Sequence, residues 1–240
     1  MSQYRHLNKA PITEALIDIQ VHMLQTNDAS SLIPFGDLVK EDFPKKYLKK
    51  SLSVEIPHRD TGEPSRWELL LGFAYESPKN HRVVQSRLDG FTFSQLKRYE
   101  TWEKLTGEAK RLWDMYLTVA QPESIKRIAV RFINSMEIEL PIDDYLKIIP
   151  LLPPALPQGM TSSLSRIVVK AESDTSIILT QSVKEAVDDK IPVILDIDVF
   201  RHCSLPPEDE EVWEIIESFH EIKNAFFFEG LHQRAWEPYL

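Results

Sequence analysis

Residues 82–117 read RVVQSRLDGFTFSQLKRYETWEKLTGEAKRLWDMYL, and this stretch decides the fold class. Arg82 to Leu88 and Phe91 to Leu96 are short β-prone runs flanking Asp89-Gly90. That dipeptide is favoured in tight β-hairpins because both residues tolerate positive φ. The period then changes. Tyr99, Trp102, Leu105, Ala109, Leu112, Trp113, Tyr116 and Leu117 recur at helical spacing, with Glu103, Lys104, Glu108, Lys110, Arg111 and Asp114 between them. This pattern predicts an amphipathic helix over Tyr99–Val119 with an aromatic buried face. A hairpin followed directly by a long surface helix places the chain in the α+β class, with antiparallel strands.

On the N-terminal side, Ala15, Ile17, Ile19 and Val21 alternate with Leu16, Asp18 and Gln20, so Ala10–Val21 reads as a strand. Ser30–Phe43 reads as a short helix interrupted at Pro34, and Ser51–Ile56 and Trp67–Tyr75 as strands. Beyond Pro122 the pattern returns. Ile125–Ile138 is a predicted strand and Ile142–Ile149 a short helix; Pro150–Gly159 is a Pro-rich loop. Arg166–Ala171 and Ser176–Val183 form a hairpin around Ser173-Asp174, and Pro192–Phe200 is another strand. Pro206-Pro207 and Glu208–Glu211 open a last helix that runs to Phe228; its buried stripe is Val212, Ile215, Ile216, Phe219, Ile222 and Phe226. The order strand, short helix, three or four strands, long helix is thus given twice. The expectation is an antiparallel sheet built from two similar halves, 1–121 and 122–240, joined in one unit, with the long helices covering one sheet face. The pattern resembles duplicated TBP-like saddles and helix-grip sheets, an analogy of fold that implies no function.

The bulk numbers exclude several classes. The chain has 240 residues, 42% of them hydrophobic, and a formal net charge of −9. That charge repels polyphosphates, so nucleic acid is not an expected partner. The single cysteine, Cys203, gives no internal disulfide framework and suits a reducing, cytoplasmic setting. No secretory signal and no window of about 20 apolar residues is present, so no membrane association is expected. With 7 glycines and no GxGxxG, Walker A or GxSxG pattern, no nucleotide cofactor is expected.

The sharpest polar feature is Asp196-Ile197-Asp198, within a strand whose Leu195, Ile197 and Val199 face the other way. The two carboxylates then lie roughly 7 Å apart along one face. Glu14, Asp18 and Gln20 share the polar side of the first strand, and Arg127 and Arg131 oppose Ile128, Val130 and Phe132. Gln85, Arg87 and Gln181 are further strand residues that could join them. One charged sheet face therefore gathers the candidates, with Arg131 set between acidic strands. The favoured reading of Asp196 and Asp198 is a solvated sheet face or acids paired with neighbouring basic side chains; the functional alternatives are a ligand or partner surface, or a divalent-cation and acid–base site. The histidines His6, His22, His58, His81, His202, His220 and His232 show no metal-ligand spacing, so no metal site is expected. Cys203 has only the adjacent His202 nearby, which does not supply a nucleophile's geometry. Lys45-Lys46-Tyr47-Leu48-Lys49-Lys50 reads as a solvated connection entering an edge strand, where lysines block aggregation. Phe226-Phe227-Phe228 reads as a core plug at the end of the last helix.

Three stretches carry a family resemblance: Ala10-Pro11-Ile12-Thr13-Glu14-Ala15; Gly90-Phe91-Thr92-Phe93-Ser94 leading to Tyr99 and Trp102-Glu103; and Val130-Arg131-Phe132-Ile133-Asn134, with Asp196-Ile197-Asp198 later. In this order they resemble a sporadically distributed prokaryotic protein family. Its recurring positions match Glu14, Tyr99, Trp102, Arg131, Asn134, Asp196 and Asp198. The family has no established activity, so the resemblance implies no catalytic residue. Its patchy occurrence implies a horizontally moved gene and a defence or toxin–antitoxin setting. The combined expectation is a non-catalytic binding or regulatory module. Its ligand- or partner-binding candidates are Glu14, Asp18, Arg131, Asn134, Asp196 and Asp198. No metal and no cofactor are expected. A protein partner or a second copy is the expected partner, with a small-molecule ligand left open. The alternative is a metal-dependent enzyme acting on a small phosphorylated or nucleotide-like substrate.

Overall fold

The computed structural model describes residues 4–23, 28–55, 65–151, 153, 155 and 160–240. Nine strands form one antiparallel sheet: β1 Ile12–His22, β2 Lys45–Glu55, β3 Ser65–Ser77, β4 Arg82–Arg87, β5 Gly90–Leu96, β6 Ser124–Ile138, β7 Ser163–Lys170, β8 Ser176–Val183 and β9 Ile191–Leu205. Their order across the sheet is β2-β3-β4-β5-β1-β6-β9-β8-β7. The α-helices among the described residues are α1 Ile33–Val39, α2 Trp102–Ala120, α3 Glu211–Gly230 and the single turn α4 Gln233–Trp236. Among the described residues no helix is long and apolar enough to cross a membrane.

The centre of the sheet is the β1–β6 pair, which runs from Ile12 against Asn134 to His22 against Ser124 with register shifts after Ile12 and after Gln20. Alternation sorts its side chains. Ala15, Ile17, Ile19 and Val21 are buried, as are Ile128, Val130 and Phe132 beside them. Strand β9 repeats the pattern with Val193, Leu195, Ile197 and Val199. Helix α2 touches buried side chains of the sheet through aromatic rings. Trp113 of α2 meets Phe91 of β5 edge-on at 5.7 Å, and Trp102 lies 6.3 Å from Phe132. The Tyr116 hydroxyl donates to the Arg87 carbonyl at 2.8 Å, and Trp113 Nε1 donates to the Pro207 carbonyl at 3.3 Å.

Helix α2 begins at Trp102, three residues later than its periodicity predicts. Thr101 is extended and caps it, its hydroxyl accepting from the Lys104 amide at 3.3 Å. Gln121, left-handed at φ 46°, ends it. Pro34 lies in the first turn of α1, so it starts that helix where the sequence predicted an interruption. Pro206 and Pro207 precede α3, because β9 continues to Leu205 and Asp209 accepts from the Glu211 amide at 2.9 Å. The expected helix Ile142–Ile149 is a single 3-10 turn, Ile142–Asp144. It stops there because Leu146 bridges to Leu231, with Lys147 donating to Gly230 and His232 to Tyr145. The lysine run lies inside edge strand β2, with Lys45 paired to Glu76 and Lys50 to Glu68. His58 and most of the Pro150–Gly159 loop lie outside the described residues.

The expected Asp89-Gly90 turn is shifted by one. Arg87 pairs with Gly90, so Leu88 and Asp89 make the turn and Gly90 opens β5. Gly90 has φ +153°, and a Cβ there would stand 2.3 Å from the Ile19 carbonyl oxygen of β1. Glycine is therefore required by the close approach of two backbones as well as by its dihedral. Gly90→Ala is expected to lower unfolding free energy by at least about 2 kcal/mol in urea denaturation. A change within about 0.5 kcal/mol would mean that β1 and β5 separate without cost at this point.

Candidate functional site

The polar face of the sheet brings five of the six sequence candidates together. Arg131 grips Asp196 with two parallel hydrogen bonds, Nε to Oδ1 at 2.8 Å and Nη2 to Oδ2 at 2.6 Å. Arg127 bridges Asp18 and Asp198, each at 3.2 Å, and stacks its guanidinium 4.5 Å from the Phe200 ring centre. Arg87 bonds Asp18 at 3.1 Å and Asp89 at 2.8 Å, and Thr92 donates to Asp18 at 2.7 Å. Glu14 acts on Arg131 through its charge. Asp198 Oδ1 is buried without a partner, and burial pushes its carboxyl above the ordinary range against the pull of Arg127 and Arg131. These carboxylates are spoken for. Both oxygens of Asp196 are held by one guanidinium, so a cation entering there must first displace Arg131. The network ties β4, β5, β1, β6 and β9 together across their outer face.

Asn134 is the sixth candidate and stands on the opposite face. It shares the parity of Phe132, is buried, and donates to the Leu195 carbonyl at 3.1 Å. Gln181 is also on that side, donating to the Ile148 carbonyl at 2.8 Å, so it takes no part in the charged face.

Asn134 instead lines a cavity of about 250 Å³ on the helical side. One wall is Tyr99 with the first turn of α2, Thr101 to Glu103. The facing wall is α3, through His220, Lys223, Asn224, Phe227 and Phe228. The start of β1 and residues 4–7 close the third side. This N-terminal segment is held by Tyr4 stacked on Phe228 at 5.1 Å and by Lys9 donating to the Tyr239 carbonyl at 3.1 Å. Arg5, His6 and Glu103 are exposed at the rim.

Lys223 is the chemically distinctive group. Only 7% of it is exposed. Its Nζ donates to Asn224 Oδ1 at 2.6 Å and sits 3.9 Å above the Phe132 ring. It makes no ion pair among the described residues. Burial lowers it from 10.5 to about 7, with only the charge of Glu221 opposing. His220 stacks face to face on Trp102, 4.1 Å apart and 5° from parallel. Its Nδ1 is buried without a hydrogen-bond partner, 4.0 Å from a Glu221 carboxylate oxygen. Burial, then the charge of Lys223, lowers it to about 3, so the ring is neutral at physiological pH. Trp102 Nε1 donates to Glu217 at 2.6 Å, and Tyr99 packs edge-on against Phe132 at 5.4 Å. Burial raises the Tyr99 phenol, helped by Glu103 and Glu217. Glu103 is lowered by its own backbone N–H and by the Thr101 hydroxyl, so its carboxylate already occupies the positive end of α2.

The aromatic members of this site, Tyr99 and Trp102, stand among the positions of the family resemblance, but its polar centre was missed. Lys223 follows Phe219 by four residues and precedes Phe227 by four, a core position by helical phase. The predicted stripe matches the buried set at Val212, Ile215, Ile216 and Phe219 and departs from it by one residue at its end, where Lys223 and Phe227 are buried in place of Ile222 and Phe226. Helical spacing also brings potential ligand atoms of Glu217, His220 and Glu221 within 4.8 Å of one another. Glu217 there is already bonded to Trp102. Comparison with protein-family models, with curated proteins and with solved structures finds no match for the chain.

The His220 shift has a definite sign. Between pH 6.5 and about 3 the unfolded chain binds a proton here that the folded chain does not, so stability falls as pH drops through that window. His220→Phe preserves the stack on Trp102 and removes the titration. Wild type should lose about 2 kcal/mol more than this variant between pH 7 and pH 5, measured by chemical denaturation. Parallel curves would contradict a buried, neutral imidazole.

Proposed function

We propose that this protein is a binding and regulatory module that captures a small organic acid with a flat apolar body in the Lys223 cavity. One observation carries the reading: a lysine faces a cavity, nine-tenths buried, with a single neutral acceptor and no carboxylate. A buried ammonium with N–H groups to spare is costly alone, so a ligand oxygen that meets Lys223 gains what the protein leaves unsatisfied. The apolar body lies among Tyr99, Trp102 and Phe227, and the acid group meets Arg5 at the rim. The inner polar end faces Lys223 and Asn134. The volume suits a small molecule, near the lower bound of ligand clefts, roughly 300–1,000 Å³.

The same reading covers the architecture. Strand order supports two similar halves, 1–121 and 122–240. In each, the last strand, β5 or β9, lies beside the first, β1 or β6, and a long helix follows. The helices of both halves then share the apolar face, and the cavity forms where α2 begins over α3. The metal-dependent alternative has less support, because Asp196 and Asp198 are bonded to Arg131 and Arg127. A defence or toxin–antitoxin role would make the captured ligand a regulatory signal for a partner.

The test is isothermal titration calorimetry with 4-hydroxybenzoate, which carries an acid, a ring and an inner oxygen. Wild type is expected to bind with Kd below about 1 mM, and Lys223→Met to bind at least about tenfold more weakly. Methionine replaces a buried charge with an apolar chain of similar length, so the variant should fold. Equal affinity of the two proteins, or no binding by either, would overturn the reading.

A further inference from the structure

The ligand-facing group of the cavity is an amine, and its setting favours reaction as well as hydrogen bonding. Lys223 Nζ is held by Asn224 Oδ1 at 2.6 Å and lies over the Phe132 ring at 3.9 Å, which together fix where its end points. No carboxylate forms an ion pair with it among the described residues, and burial outweighs the more distant charge of Glu221, so the ammonium is weakly held. His220, the nearest imidazole on the same helix face, is neutral and adds no positive charge. Tyr99, Trp102 and Phe227 line the cavity beside polar groups such as Thr101 and Asn134, and Lys223 itself is only 7% exposed, which limits water at its amine. A desolvated lysine in such a pocket has the features of an amine that condenses with carbonyl carbons.

We propose that Lys223 captures carbonyl-bearing members of this ligand class covalently, through a reversible imine between its Nζ and the carbonyl carbon. This rests on the cavity being the ligand site. The neutral amine's lone pair forms the N–C bond while the carbonyl π pair moves to oxygen. A proton passes from nitrogen to that oxygen, giving a carbinolamine. Loss of the hydroxyl with the second amine proton releases one water and leaves C=N. No oxidant or reductant is consumed, and the same water reverses the step and frees the ligand. Asn134, whose amide uses one hydrogen on Leu195, keeps a second for an oxygen in the cavity. The protein thereby becomes a sensor of small aldehydes or ketones that carry an acid group.

Relative reactivity can be estimated. At pH 7 an ordinary exposed lysine is neutral in about one molecule in 2,500, against about half for Lys223. Lower basicity costs nucleophilicity; with a slope of about 0.4–0.5, as for thiols, the drop from 10.5 to about 7 costs roughly 25- to 60-fold. The neutral fraction wins, leaving Lys223 faster by some tens of fold.

The experiment treats the full chain at pH 7 with 4-carboxybenzaldehyde and cyanoborohydride, which fixes the imine as a secondary amine. Peptide mass spectrometry then compares the labelling rates of Lys223 and of the exposed Lys79 and Lys170. The expected result is labelling of Lys223 some tens of times faster, slowed by prior addition of 4-hydroxybenzoate, with Lys79 and Lys170 unaffected. This competition needs no variant, so it decides even if substitutions at 223 disturb folding. Labelling of Lys223 no faster than the exposed lysines overturns covalent capture. If 4-hydroxybenzoate still binds in that case, the non-covalent reading stands alone; if it does not, both fall.

Discussion

The pairing of β1 with β6 is the constraint on which the rest of the structure depends. It joins residues about 120 positions apart, as in the Thr13 hydroxyl donating to the Ile133 carbonyl at 3.1 Å. On one side, β2 to β5 are successive hairpins closed back onto β1; on the other, β7 to β9 are successive hairpins closed back onto β6. Hairpins form locally, but these closures and the central pair must absorb the entropy of ordering long loops. The charged network on one face and the aromatic cluster on the other both straddle this seam. Arg127 reaches from β6 to Asp18 of β1 and Asp198 of β9, and Phe132 anchors Tyr99, Trp102 and Lys223. The two faces therefore have different work. The outer one pairs its acids with three arginines and latches strands, whereas the inner one holds a buried lysine with no ion pair among the described residues.

That lysine is Lys223. Taking an ammonium out of water costs several kcal/mol even after relaxation. Against this stand a hydrogen bond from a charged donor, about 1.5–3 kcal/mol, and a cation–π contact of about 0.5–2 kcal/mol. The sum falls short, so the group moves toward neutrality and sits near the pH of the cell. Stability consequently rises with pH between about 7 and 10.5, where the unfolded chain holds a proton that the folded chain has released. A lysine at such a position costs stability that an apolar side chain would not, which is the physical ground for proposing the cavity as the functional site.

Strands and long helices were legible in the sequence because the signals that mark them are strong. Alternation placed Glu14, Asp18, Arg131, Asp196 and Asp198 on one face correctly, since a period of two leaves little freedom. Asn134 and Gln181 have the opposite parity, which counting from Arg131 and Arg166 would have revealed. The hairpin rule accounts for the positive φ of Gly90 and for only part of its requirement. Gly90 answers to the backbone of β1, a non-local contact that no dipeptide rule contains. The helix over Ile142–Ile149 was lost to pairing with residues 230–232, again non-local. Lys223 is hard to read because its charge points to solvent, whereas Phe219 and Phe227, four residues to either side, place it on the buried face. The cavity itself depends on how α2, α3 and residues 4–7 meet, and sequence periodicity carries no record of that meeting.

The central claim is that Lys223 is a cavity-facing amine poised between its charged and neutral forms. The most direct measurement is a pH titration of its side-chain nuclei by NMR, using labelled lysine and a Lys223→Met spectrum for assignment. A midpoint near 7, far below that of the exposed lysines, is the result expected from its burial. A midpoint near 10.5 would show a solvated ammonium and remove the basis for both the ligand site and its chemistry.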